Sequence, residues 1–165
     1  MVAAEMTHGR SGIFDMQPWA ILFVRVVLGL IFGMAGYWKC FVLTPSGHVE
    51  RFFLPYADSW IPVWLLWTVG STIPVMELIA GWLLVFGLRV REALIALGFV
   101  LITVTYGHLL KEPLYSFTGH VIPRLALLVF VALLIERDRF SIDAWLRSRG
   151  SSSGHDDHID PVGER

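Results

Sequence analysis

The sequence predicts an all-α integral membrane protein, a four-helix bundle with both termini in the cytoplasm. Three observations carry this. Hydrophobic residues make up 55% of the 165 and charged residues 16%, against about 25% charged in an average soluble domain. One domain of this length cannot hide so much apolar surface from water. Second, four stretches meet the requirement of about 20 mostly apolar residues for a membrane crossing. Third, Lys and Arg divide unevenly between the two sides that those stretches define.

Residues 1–17 contain Glu5 and Asp15, lack a basic cluster and precede an apolar run too long for a signal-peptide core. They read as a cytoplasmic segment before an uncleaved first helix. The first span is expected at 18–43, with Pro18 suited to a first helical turn. The others are expected at 63–88, 92–110 and 119–135, so the transmembrane domain covers 18–135. Arg10, Arg89, Arg91, Arg137, Arg139, Arg147 and Arg149 fall on one side, and only Arg51 and Lys111 on the other. The positive-inside rule makes the first side cytoplasmic. Residues 136–147 read as an interfacial cytoplasmic helix, capped by Ser141 and presenting Ile142, Trp145 and Leu146 on one side. Residues 148–165 are polar and expected to be a disordered tail, with the His155–His158 run solvated rather than metal-binding. Trp60, Trp64, Trp67 and Tyr115 fit an outer aromatic belt.

A net charge of −1 gives no reason to expect nucleic-acid binding. The single cysteine, Cys40, excludes an internal disulfide, a dithiol redox pair and a cysteine-based metal cluster within this chain. No metal or haem is expected; a bis-histidine haem through His108 and His120 is the weaker reading of two histidines near one interface.

The informative residues are the charges inside the spans, because ionisable groups are expensive there. Arg25 and Lys39 lie on one face of the first span, nearly four turns apart, with Gly29, Phe32 and Gly36 between them. Gly29, Gly33 and Gly36, with Gly81 in the second span, are the expected helix-packing residues. Glu77 sits near the middle of the second span, on a face shared with Gly70, Pro74 and Gly81. Pro74 cannot donate a backbone hydrogen bond and leaves the Gly70 carbonyl free. A structural ion pair between Arg25 and Glu77 is expected, with Lys39 as the other partner open to the carboxylate.

Tyr106, His108, His120 and Arg124 cluster at the outer ends of the third and fourth spans. Arg25, Lys39 and Arg124 against Glu77 leave an excess of two positive charges. Asp58 or Glu112 from the outer loops, a lipid phosphate or a bound ligand are the candidates to meet it. A quinone fits: its ring wants a greasy cleft and its carbonyls want donors. Lys39, His108 and Arg124 are the candidate carbonyl contacts, with His120 and Tyr106 beside them, and Glu77 is the candidate proton carrier.

Several pieces also carry a family pattern. They are Arg25-x-x-x-Gly29-x-x-Phe32 with Gly36-x-x-Lys39, and Glu77-Leu78-Ile79-Ala80-Gly81 with Gly87-Leu88 and Arg91. Arg139-Phe140-Ser141-Ile142-Asp143 follows the last span. In their order and spacing they resemble the DoxX family of small four-span bacterial membrane proteins, over residues 17–147. Ala80 stands where many members have a second glycine, and the Tyr106 to Arg124 segment is closer to a DoxX-like subgroup. The resemblance implies a multi-pass protein of the bacterial cytoplasmic membrane and a quinone-linked redox subunit. Its implied partners are other membrane or peripheral redox proteins, and a homo-oligomer is compatible with it. The alternative is a non-catalytic scaffold or assembly subunit of a larger respiratory or oxidative-stress complex, whose glycine faces receive a partner.

Overall fold

A computed structural model describes residues 16–112 and 119–152. The chain forms α1 (Gln17–Tyr37), continued by a π-helical turn (Trp38–Val42), then α2 (Pro45–Phe52) and a 3-10 turn (Leu54–Tyr56). Then come α3 (Val63–Phe86), α4 (Val90–Lys111), α5 (Val121–Leu134) with a 3-10 turn (Ile135–Arg137), and α6 (Ile142–Ser152). Among the described residues there is no strand.

Three helices are long and apolar enough to cross a membrane: Gln17–Val42, Val63–Phe86 and Val90–Lys111. Their outward faces carry large apolar side chains such as Phe23, Ile79, Ile95 and Ile102, each more than half exposed. That is the pattern of helices that face lipid on one side and each other on the other. The stretch expected as a fourth span is shorter. α5 has 14 residues, about 21 Å at 1.5 Å per residue, against a hydrocarbon core of about 30 Å. It begins only at Val121, and its last turn tightens into the 3-10 geometry of Ile135–Arg137. Pro123 lies in its first turn, where no intrahelical bond is at stake, so it frees no carbonyl of Gly119.

α1 and α3 run antiparallel in the closest contact of the bundle. A Cβ on Gly36 would overlap the backbone of Leu78, and one on Gly81 would overlap the backbone of Gly33. A Cβ on Gly29 would come within 2.7 Å of the Gly81 carbonyl oxygen. Gly33 itself has ordinary space, its nearest neighbour at 3.6 Å. Leu28, Phe32, Leu84, Leu97 and Val131 then fill the core between α1, α3, α4 and α5.

This register corrects the expected Arg25–Glu77 pair. Gly36 faces Glu77 and Leu78, while Arg25, three turns earlier, faces Leu84 and Val85. Glu77 is therefore beside Lys39, one turn beyond Gly36, and out of reach of Arg25. Arg25 turns to the other end of the bundle instead. Its Nε lies 3.1 Å from Asp138 Oδ2, both side chains 1% exposed. It also donates to the Leu84 carbonyl and, at 3.4 Å, to the Phe140 carbonyl.

The same end is tied together by the segment between α5 and α6. α3 stops at Gly87, whose φ of +69° is the left-handed cap that glycine supplies without strain. Asp143 then caps α4, accepting from Arg89 N at 3.0 Å and Val90 N at 2.9 Å, while its own N–H donates to Gly87 O at 3.1 Å. Ser141 Oγ accepts from Ala144 N at 3.1 Å at the start of α6. That helix begins later than the expected 136 and runs to Ser152, past the boundary expected at 147. Phe140 just before it, and Ile142, Trp145 and Leu146 along it, stay exposed. Glu5, Arg10, Asp15, Tyr115 and the His155–His158 run lie outside the described residues.

Candidate functional site

At the end of the bundle away from the α3–α4 turn, the helices separate around a cavity of about 420 Å³. Its walls are apolar, including Phe32 of α1, Ile73 of α3, Val100 and Val104 of α4, and Val121 of α5. Lys39 and Glu77 reach it from α1 and α3. Lys39 Nζ donates to Glu77 Oε2 at 2.6 Å, with side-chain exposures of 21% and 4%. The carboxylate is thus buried and charge-paired, while the ammonium keeps part of its surface open. Lys39 lies within the π-helical turn, which ends in a bond from Leu43 N to the Trp38 carbonyl. A wider turn of this kind re-aims the side chains it carries.

His108 from α4, His120 just before α5 and Arg124 from the first turn of α5 line the same cavity. The Arg124 guanidinium sits over the Phe32 ring at 5.6 Å from its centroid. Five candidate residues far apart in sequence, Lys39, Glu77, His108, His120 and Arg124, therefore meet in one place. Tyr106 does not join them: it is 48% exposed on the outer face of α4. Asp58 and Glu112 are exposed, and neither forms an ion pair with the cavity's cations.

Helix α2 and the 3-10 turn after it close the cavity on one side, and this cover was not legible as structure in a stretch expected to be an outer loop. Pro45 opens α2, and Thr44 caps it, its hydroxyl accepting from Gly47 N at 3.2 Å. His48 is the residue that sequence reasoning missed. It is 3% exposed, and its Nδ1 lies 2.8 Å from the Gly70 carbonyl oxygen, the oxygen that Pro74 leaves without an intrahelical partner. A carbonyl can only accept, so Nδ1 carries the proton, and in the neutral ring Nε2 is left as an acceptor. Burial holds the imidazole below the ordinary histidine range; the Gly70 carbonyl pulls the other way, and the Lys39 ammonium adds to the lowering. The available signal was the proline: a freed carbonyl inside an apolar helix needs a donor, and His48 is the buriable donor of the preceding loop.

Arg51 of α2 and Lys111 at the end of α4, with Tyr56 and Thr103, complete the polar part of the lining. Arg25 is remote from it, locked to Asp138. Among the described residues no group of three or more His, Cys, Asp or Glu side chains is placed to hold a metal ion. Compared with known protein families, with curated proteins and with solved structures, the chain matches none.

Proposed function

We propose that this chain is a DoxX-like subunit of a quinone-linked redox system in the bacterial cytoplasmic membrane. In this reading it crosses the membrane four times, α5 with its following 3-10 turn being the last and shortest crossing. Both termini are cytoplasmic, and the cavity opens near the outer face. The observation that supports it is the convergence of Lys39, Glu77, His108, His120 and Arg124 on one apolar-walled cavity. Its volume of about 420 Å³ falls in the usual range of about 300–1,000 Å³ for small-molecule sites.

The residues present fit a quinone head group. Phe32, Ile73 and Val100 offer the ring an apolar bed, and Lys39, the histidines and Arg124 offer donors to its two carbonyl oxygens. A quinone bound there would supply the electron-accepting chemistry, and a partner protein the electrons. Arg124 and His108 orient the head group. Lys39 is shared between the Glu77 carboxylate and a carbonyl oxygen, and Glu77 holds or releases a proton at Oε1, the oxygen that Lys39 leaves free, as the local charge changes. Glu77→Gln keeps the shape of that side chain and removes its proton exchange. In membranes containing the intact complex, it is expected to leave quinone content unchanged and to slow quinone reduction by about 10²-fold or more. Unchanged reduction, together with an absence of quinone from the purified protein, would remove the reading.

The alternative of a non-catalytic scaffold is constrained by the packing. Gly29, Gly36 and Gly81 are filled by the α1–α3 contact inside the chain. A scaffold would have to engage its partner by another face.

A further inference from the structure

We infer that the cationic rim of the cavity also receives an acidic head group carried on an apolar body, beside or in place of the quinone. The inference rests on the cavity being a ligand site, as in the preceding reading, but not on the ligand being a quinone.

The charge of the lining carries it. Lys39, Arg51, Lys111 and Arg124 face one carboxylate, Glu77, and Glu77 is taken by Lys39 at 2.6 Å. Arg51 and Lys111 form no ion pair with any carboxylate among the described residues, and Arg124 makes none at contact distance, though it lies near enough to Glu77 for the two charges to attract. Residues 113–118, which join α4 to the start of α5, contain no Asp or Glu to supply one. The excess is therefore not the one inferred from the spans alone. Arg25 is neutralised by Asp138 at the far end, and three cations from three different elements collect around one cavity instead.

Solvent accounts for part of the charge on Arg51 and Lys111, which are exposed, but less for Arg124, which is half-buried over Phe32. A neutral ligand alone would strip water from these groups and return no charge, so a quinone among the apolar walls would still leave the rim cations to be met. A carboxylate or phosphate would return it, and the planar guanidinium of Arg124 can bind either through two parallel hydrogen bonds. The apolar walls below then take a chain or ring. This chemistry has two sources in a membrane: the head group of an anionic phospholipid, or a free amphiphilic carboxylate.

The test uses the purified full-length chain in non-ionic detergent, with dodecanoate and dodecanol as paired probes and a short-chain neutral quinone as a third. Dodecanoate is expected to bind about tenfold or more tightly than dodecanol, a difference of about 1.4 kcal/mol, with affinity falling as salt rises. Arg124→Gln is expected to remove most of that preference and Arg124→Lys to keep more of it; Lys111→Gln, at an exposed position, keeps the test open if Arg124 variants fail to fold. In nanodiscs, displacement of dodecanoate by phosphatidylglycerol but not by phosphatidylcholine assigns the site to a lipid head group. Equal indifference to both lipids assigns it to a free carboxylate. Equal binding of dodecanoate and dodecanol, or a preference untouched in both Arg124→Gln and Lys111→Gln, would overturn the inference. If the neutral quinone binds and dodecanoate does not, the inference falls and the quinone site stands. If no probe binds, both fall.

Discussion

Arg25 and Asp138 show how a buried charge is settled by reach rather than by position in the sequence. Arg25 lies inside α1, yet its guanidinium extends toward the bundle end and meets a carboxylate from beyond α5. Asp138 was hidden from sequence reasoning because it sits among flanking charges that read as solvated. With both side chains 1% exposed, removing one partner leaves the other buried and uncompensated, which typically costs about 3–5 kcal/mol. Asp138→Ala is thus expected to lower the denaturation midpoint in detergent strongly, and Arg25→Met with Asp138→Leu to recover much of the loss. Equal stability of Asp138→Ala and the parent chain would contradict the pair. His48 gives a pH dependence of opposite origin. Its folded-state affinity for a proton is below the ordinary value, so its contribution is complete above the unfolded pKa of about 6.5 and is lost as pH falls toward the lower folded value. Stability measured by thermal unfolding is expected to decline on acidification below that point, and His48→Gln to flatten the decline. An identical pH profile in His48→Gln would show that this ring does not govern it.

At the scale of elements, what was legible depended on whether the pattern was local. The apolar runs of α1, α3 and α4 declare themselves within single windows, and their ends fall within a few residues of the expected spans. The length of α5 did not, because the expected 119–135 overran it at both ends: Gly119 and His120 precede the helix, and Ile135 opens the 3-10 turn that carries Glu136 and Arg137. α2 was missed as a helix since its eight residues are mixed in polarity and its order comes from Thr44, Pro45 and the His48 contact to α3. The glycines were readable as small residues, but not which of them matter. That depends on the antiparallel register, which puts Gly36 against Leu78 and leaves Gly33 with room. Gly36→Ala is accordingly expected to cost about 1–3 kcal/mol through overpacking, and Gly33→Ala to be nearly neutral. Both are read from denaturation in detergent, and the reverse order would refute the register.

For the whole molecule, the candidate site was legible as a set of residue types and not as a place. Charges inside apolar helices mark function by their cost, and Lys39, Glu77 and Arg124 do share one cavity, with His108 and His120 beside them. Tyr106 fell away because one step along α4 turns a side chain from the cavity to the outer face, as its neighbour Gly107 on the lining illustrates. Arg51 and Lys111 entered the reading only as topology markers, and the fold brings both to the cavity rim. The two ends of the bundle are built differently. One is locked by Arg25, Asp138 and Asp143 into a rigid base. The other, where α1 widens and α2 folds over, holds an apolar-walled space of ligand size with charged side chains around it. The central claim is that this space receives a quinone head group. Photolabelling of the purified full-length chain with an azido-quinone, followed by peptide mapping, tests it most directly. Labels are expected on Phe32, Val100 and Val104 and their neighbours inside the cavity, with competition by unlabelled quinone. Labels confined to lipid-facing residues such as Ile79 and Ile102, insensitive to competition, would contradict it.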